Sequence, residues 1–190
     1  WYNQTATSIN VQKSQKNVND WTAGGMVNRP IADGESITFR SNSGIKAVGL
    51  AFKKAEGSLW RQPHSVLYGF YINRWSGTAY PMESQGSAGT RIDYENEGRP
   101  WNDNSVFKIK RVCNKVYYYM DDIQFPHVST IIHSQDLYFD MNFKDVLGWV
   151  YDVTIYGACG IQDCTNGSIT PTFTQIDPIC AGGTFTLPTT

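Results

Sequence analysis

Leu147-Gly148-Trp149-Val150-Tyr151-Asp152-Val153-Thr154-Ile155 decides the fold class of this chain. Large apolar or aromatic residues recur at every second position. That is the period of a strand, whose side chains alternate between two faces, and not of a helix. The stretch predicts a half-buried β-strand. Leu147, Trp149, Tyr151, Val153 and Ile155 fall on its core face, and Gly148, Asp152 and Thr154 on the other.

The same period recurs upstream. Ile37 and Phe39 alternate with Ser36, Thr38 and Arg40, and Phe107 and Ile109 alternate with Lys108 and Lys110. Val48 to Phe52 and Val66 to Ile72 are more continuously apolar, as in strands covered on both faces. Val116 is followed by Tyr117, Tyr118 and Tyr119, which must point to alternate faces. Turn signals separate the runs: Asp33-Gly34, Ser43-Gly44, Glu56-Gly57, Ser76-Gly77, Gly86 to Gly89, Glu97-Gly98, Cys113-Asn114 and Met120-Asp121-Asp122. No capped helical stripe interrupts them. Many short strands with regular punctuation predict an all-β fold, an antiparallel two-sheet jelly-roll sandwich.

Composition narrows the partners. The chain has 190 residues, room for one all-β domain and a tail. Charged residues are 17% and the formal net charge is −1, with no basic stripe, which argues against nucleic acid. No apolar run is long enough to span a bilayer as a helix. No signal-peptide pattern opens the chain, so Trp1 is expected to be a processed or artificially defined start. Aromatics reach 14%, which suits a sandwich core and equally a surface that stacks on sugars.

Cys159 and Cys164 are too far apart for a redox Cys-x-x-Cys, and no second pair stands at zinc spacing. A short disulfide between them, in an oxidising compartment, is the expectation. Cys113 reads either as a buried thiol or as a partner of Cys180.

The order of signals also resembles a known family. It runs through Trp21-Thr-Ala-Gly-Gly25, Ile31-Ala-Asp-Gly-Glu-Ser-Ile-Thr-Phe39, Val48-Gly-Leu-Ala-Phe52 and Tyr68-Gly-Phe-Tyr-Ile72. It continues with Val106-Phe-Lys-Ile-Lys-Arg111, Val116-Tyr-Tyr-Tyr119, Leu137-Tyr-Phe-Asp140 and Val150 to Ile155. This resembles the concanavalin A-like (lectin/glucanase, SPRY-like) jelly-roll modules of secreted bacterial adhesins. The tail, Pro171-Thr-Phe…Pro178-Ile-Cys-Ala-Gly…Leu187-Pro-Thr-Thr190, resembles the opening of Ig-like repeats in giant surface proteins of Bacteroidota. The two resemblances imply a module at 1–157, a disulfide-stapled linker at 158–168 and the start of a following repeat at 169–190. They imply type IX secretion, a cell-surface location, further repeats of the same polypeptide as neighbours, and a role in attachment or gliding. They also imply that the natural partner of Cys180 lies beyond Thr190.

Chemistry on such a fold would be that of a glycosidase or a lyase. The glucanase pattern Glu-x-Asp-x-x-Glu is absent, and Tyr2-Asn3-Gln4 stands at the wrong end for a lyase strand. Asp93, Glu95 and Glu97 would share one face of a strand, and they form the alternative of a glycosidase carboxylate cluster. His64, His127 and His133 lack an acidic or cysteine partner at a useful spacing. No cofactor is expected. Calcium is the one cation that Asp121-Asp122, or Asp136 with Asp140, would suit, although the first pair also reads as a hairpin tip.

A binding role is the preferred expectation, with no catalysis and a surface glycan or protein as ligand. Trp60, Trp75, Arg91, Glu95, Arg99, Trp101 and Asn102 are the predicted ligand residues. They combine flat rings with planar polar groups in loop-rich segments. Trp101 is the expected stacking platform, while Trp21 and Trp149 are expected in the core. A third reading is a spacer or assembly module whose edge strand accepts a neighbouring chain.

Overall fold

The computed structural model describes residues 11–12, 21, 23–42, 44–54, 62–85, 91–145 and 148–157. Thirteen strands are assigned there: β1 (Val11–Gln12), β2 (Ala23–Pro30), β3 (Ser36–Ser41), β4 (Lys46–Ala51), β5 (Tyr68–Asn73), β6 (Thr78–Ser84) and β7 (Arg91–Asp93), followed by β8 (Arg99–Pro100), β9 (Val106–Val112), β10 (Lys115–Met120), β11 (Ile123–Thr130), β12 (Tyr138–Phe143) and β13 (Trp149–Tyr156). Two single 3-10 turns, Pro63–Ser65 and Glu95–Glu97, are the helical content of the described residues.

The strands form two antiparallel sheets. The first runs β1-β13-β3-β9-β10-β11, and the second runs β2-β12-β4-β5-β6-β7 with β8 added to β6. This is the expected jelly-roll sandwich. Alternation builds the first sheet: β3 buries Ile37 and Phe39, β9 buries Phe107 and Ile109, and β10 buries Val116, Tyr118 and Met120. Of the three consecutive tyrosines only Tyr118 faces in, as a two-residue period demands. Aromatic rings fill the space between the sheets. Phe39 stacks on Phe107 at 5.3 Å, and Phe70 meets Tyr118 and Phe125 edge-on, each at 5.5 Å.

β4 is buried along its whole length, because the second sheet is covered on both faces. Its outer side carries a smaller cluster of Ala47, Val66 and Met82, with Trp21 and Tyr71 packed against it. Gly49 and Gly69 are paired there across the ladder. A Cβ on Gly49 would stand 2.2 Å from the Tyr68 carbonyl oxygen, so no larger residue fits. Beside this cluster Asp140 and Asn142 are fully buried, and Lys54 closes over them in an ion pair with Asp140.

β13 departs from the sequence expectation. Its pairing with β3 shifts between Tyr151 and Thr154, and Asp152 takes a left-handed backbone with φ 52°. This is a β-bulge, and it changes the parity of the strand. Val150 and Val153 both face the core, while Trp149 is 37% exposed. Trp149 is therefore a surface ring and not a core residue. Leu147 lies outside the described residues.

Residues 158–190, with Cys159, Cys164 and Cys180, lie outside the described residues, as does Trp60. Cys113, at the β9–β10 turn, is disulfide-bonded, which removes the buried-thiol reading.

Candidate functional site

One end of the sandwich gathers five connections. They are the β3–β4 loop, the β5–β6 tip, the β8–β9 loop, the approach to β13 and the β10–β11 tip. The ladders fix this, since Lys46 pairs with both Ile72 and Phe143, Val150 with Ser41, and Phe107 with Met120.

At this end Asn42, Trp149, Tyr151 and Asp152 line an open groove of about 340 Å³. The volume falls in the range of small-ligand clefts, roughly 300–1,000 Å³. Trp149 and Tyr151 stand two apart on one strand before the bulge, so both rings project from the same face. The Asn42 Oδ1 accepts the Trp149 backbone N–H at 2.7 Å. That bond fixes the amide, whose Nδ2 makes no hydrogen bond among the described residues. The Tyr151 hydroxyl donates to the Asp103 carbonyl at 2.6 Å, tying β13 to the β8–β9 loop. Burial raises the pKa of that hydroxyl, Asp103 and Asp152 raise it further, and Arg40 opposes them. The Asp152 carboxylate lies 3.8 Å from Arg40 Nε and is 59% exposed.

Behind the groove sits Lys46, fully buried. Its ammonium donates to the Asn42 carbonyl and lies 5.7 Å from the centre of the Trp101 ring. Burial lowers its pKa to about 7, against the weaker opposing pull of Asp145 and Asp103. Trp101 is half-buried against the core, edge-on to Phe107, and its indole N–H points to the Asn73 carbonyl at 3.4 Å. The ring plugs the end of the sandwich. Asn102 and Ser105 close a tight turn after it. Trp75, on the β5–β6 tip, is 75% exposed.

The predicted ligand residues are thus only partly brought together. Trp75, Trp101 and Asn102 share the loop end with the groove, whereas Arg91, Glu95 and Arg99 do other work. Arg91 lies over the Tyr71 ring at 4.4 Å and pairs with Asp93. Glu95 accepts the Tyr80 hydroxyl at 3.2 Å. Arg99 donates to the carbonyls of Ile123 and Gln124 at 2.9 and 2.7 Å and covers the Phe125 ring at 4.0 Å. β11 is the outermost strand of its sheet, so Arg99 caps backbone acceptors that would otherwise template another strand. Glu97 does the same for a donor, taking the His127 backbone N–H at 2.9 Å. Arg99 and Glu97 thus occupy three backbone groups of β11, at one edge of the first sheet.

The carboxylate cluster does not form as expected. After Asp93 the chain turns into the 3-10 segment Glu95–Glu97, so no strand face carries the three groups together. Each is engaged separately, with Arg91, Tyr80 and His127. His127 does have an acidic partner, Glu83 at 2.8 Å, from a position 44 residues away that spacing along the chain does not reveal. Its ring is stacked against Tyr94 at 3.5 Å. Asp121 and Asp122 both have positive φ at the β10–β11 tip, where they bond Val106 N and Lys108. No group of three or more metal-ligating side chains gathers among the described residues.

No protein-family profile matches the chain, and no curated protein matches it by sequence. Solved structures do resemble it. An endo-β-1,3-glucanase from Pyrococcus furiosus aligns at 12% identity over 70% of this chain, with a TM-score of 0.47. The chain spans 64% of that glucanase's length. A structure reported under endo-acting O-glycanases of human gut microbiota that initiate mucin breakdown aligns at 10% identity, over 79% of this chain and 78% of its own, with a TM-score of 0.50. A galectin from Caenorhabditis elegans aligns at 9% identity over 76% of this chain and 95% of its own, with a TM-score of 0.43. At these identities the likeness is one of fold.

Proposed function

We propose that this domain is a carbohydrate-binding module that takes a glycan in the groove of Asn42, Trp149, Tyr151 and Asp152. The observation that carries the reading is the exposure of Trp149 beside Tyr151 on one strand face. Trp149 is 37% exposed and Tyr151 half-buried, so each ring keeps part of its surface open to the groove. They offer the apolar face of a sugar ring a stacking partner, and the Asn42 amide and Asp152 carboxylate offer its hydroxyls a donor and an acceptor. Trp75 and Asn102 stand at the same end as rim residues. Asp93, Glu95 and Glu97 each hold a partner within the fold, in Arg91, the Tyr80 hydroxyl and the His127 backbone N–H, which favours binding over hydrolysis.

The setting we propose is a secreted, cell-surface attachment protein of several repeats. A disulfide at Cys113 suits an oxidising compartment. The test is a glycan array with the wild-type chain and Trp149→Ala. Losing the ring should weaken binding on the order of tenfold, the effect of roughly 1–1.5 kcal/mol of aromatic contact. The melting temperature should hold, because the ring lies outside the core. An array on which the two proteins bind the same glycans equally would place the ligand elsewhere.

A further inference from the structure

We infer that Asp152 sets what the groove accepts: glycans whose exposed residues are uncharged, with sialic and uronic acids refused. The inference rests on the carbohydrate reading of the same groove.

The bulge asks for a residue that tolerates a left-handed backbone at φ 52°. Glycine adopts that region freely, and Asn as readily as Asp. The backbone therefore explains a small or amide residue here and does not explain a charge. Among the described residues Asp152 has an ion-pair partner in Arg40, but a loose one: the groups stand 3.8 Å apart, beyond hydrogen-bond distance, and are 39% and 59% exposed, so the pairing offsets the charge only weakly. The carboxylate oxygens remain open as acceptors, which suits a pair of neighbouring sugar hydroxyls.

The surrounding field has the same sign. Asp103 and Asp152 both act on the Tyr151 hydroxyl, against Arg40 alone. Lys46 behind the groove, its pKa lowered by burial to about 7, loses its charge above neutral pH, and there Asp103 and Asp152 stand against Arg40 and leave the groove net negative. A sugar carboxylate brought onto Tyr151 would meet a like charge across a few ångströms of partly desolvated space. Such juxtapositions are how binding sites reject near-cognate partners.

The experiment is affinity electrophoresis of the full chain through gels containing submaxillary mucin, the same mucin after sialidase treatment, laminarin or polygalacturonate. Wild type should bind the neutral member of at least one pair on the order of tenfold more tightly than the anionic one. That preference should shrink in 1 M salt, where the Debye length falls to about 3 Å. Asp152→Asn keeps the backbone and removes only the charge. It should bring the preference to within about threefold and weaken binding to the neutral polymer. A wild type that binds the anionic polymers equally or better overturns the inference, as does an Asp152→Asn chain that keeps the full preference. Binding to none of the four polymers overturns the carbohydrate reading and this inference with it. A Trp149→Ala chain that binds like wild type removes the groove as the site, whatever charge preference is seen.

Discussion

Replacing Lys46 by methionine tests the electrostatics behind the groove. Lys46 is fully buried, and burial lowers its pKa from 10.5 to about 7. In the unfolded chain the amine titrates near its ordinary value. Below about pH 7 both states bind the proton, and the folded state carries the whole cost of a buried ammonium. Between 7 and 10.5 the unfolded state binds more protons, so unfolding free energy rises with pH. Each pH unit is worth at most roughly 1.4 kcal/mol, so the difference of about 3.5 between the two pKa values caps the effect near 5 kcal/mol. Across pH 7 to 9.5 the rise should be about 3 kcal/mol.

Lys46→Met removes the titrating group and keeps an unbranched chain in the same space. The comparison is urea denaturation of both proteins at half-unit steps from pH 6.5 to 9.5. The wild type should gain on the variant steadily as pH rises, and the variant should be the more stable near pH 6.5. A difference that stays flat over the range would mean that Lys46 is held as a charged ion pair with Asp145. A difference that runs the other way would refute the account of burial.

Trp101→Ala should cost about 2–4 kcal/mol, because the ring packs on Phe107 and shields Lys46; a melting temperature lower by roughly 5–10 °C would show it. Trp75→Ala, at 75% exposure, should leave the melting temperature within about 2 °C, and a large drop would contradict its surface placement. Arg99→Ala should uncover the carbonyls of Ile123 and Gln124, cost about 1–3 kcal/mol and increase light scattering on heating; a monomeric variant of wild-type stability would show the cap to be dispensable.

Strands with unbroken alternation are legible in the residues alone. Ser36–Ser41, Val106–Val112 and Lys115–Met120 bury the side chains that a period of two selects. Trp75 is legible too, in a Trp-Ser-Gly turn with nothing to cover it. β13 misleads because its parity is decided by pairing with β3 and not by its own residues. One signal is present: Val150 and Val153 are three apart with Asp152 between them, the arrangement in which a bulge keeps both β-branched residues inward. A bulge at that position turns Trp149 and Tyr151 outward and opens the groove. Arg99 misleads differently. A polar residue in a Gly-Arg-Pro segment looks the same whether it awaits a ligand or caps a strand 24 residues away. Only the position of β11 at the end of its sheet separates the two.

The placement of the groove follows from how a two-sheet sandwich commits its residues. Inside the sheets each strand has one face committed to the core, and β4 has both. Surface rings adjacent on one strand therefore need a place where commitment lapses. The bulge at Asp152 supplies it at the loop end, by adding a residue that belongs to neither face. The opposite end is committed otherwise. Tyr156, Ser36 and Lys110 line up across β13, β3 and β9 there, and the Cys113 turn lies just beyond. Gly157 and the disulfide-bonded Cys113 stand at this end, while the groove opens at the far end. That polarity, tied at one end and stacking-competent at the other, is what supports reading the domain as an attachment module and not as a link buried between neighbours. It also sets a demand on any longer polypeptide: a chain extended past Thr190 should bind the same polymers with the same dependence on Trp149. If the extension abolishes binding that the 190-residue chain shows, the groove faces the added segment and the polarity argued from β13 is wrong.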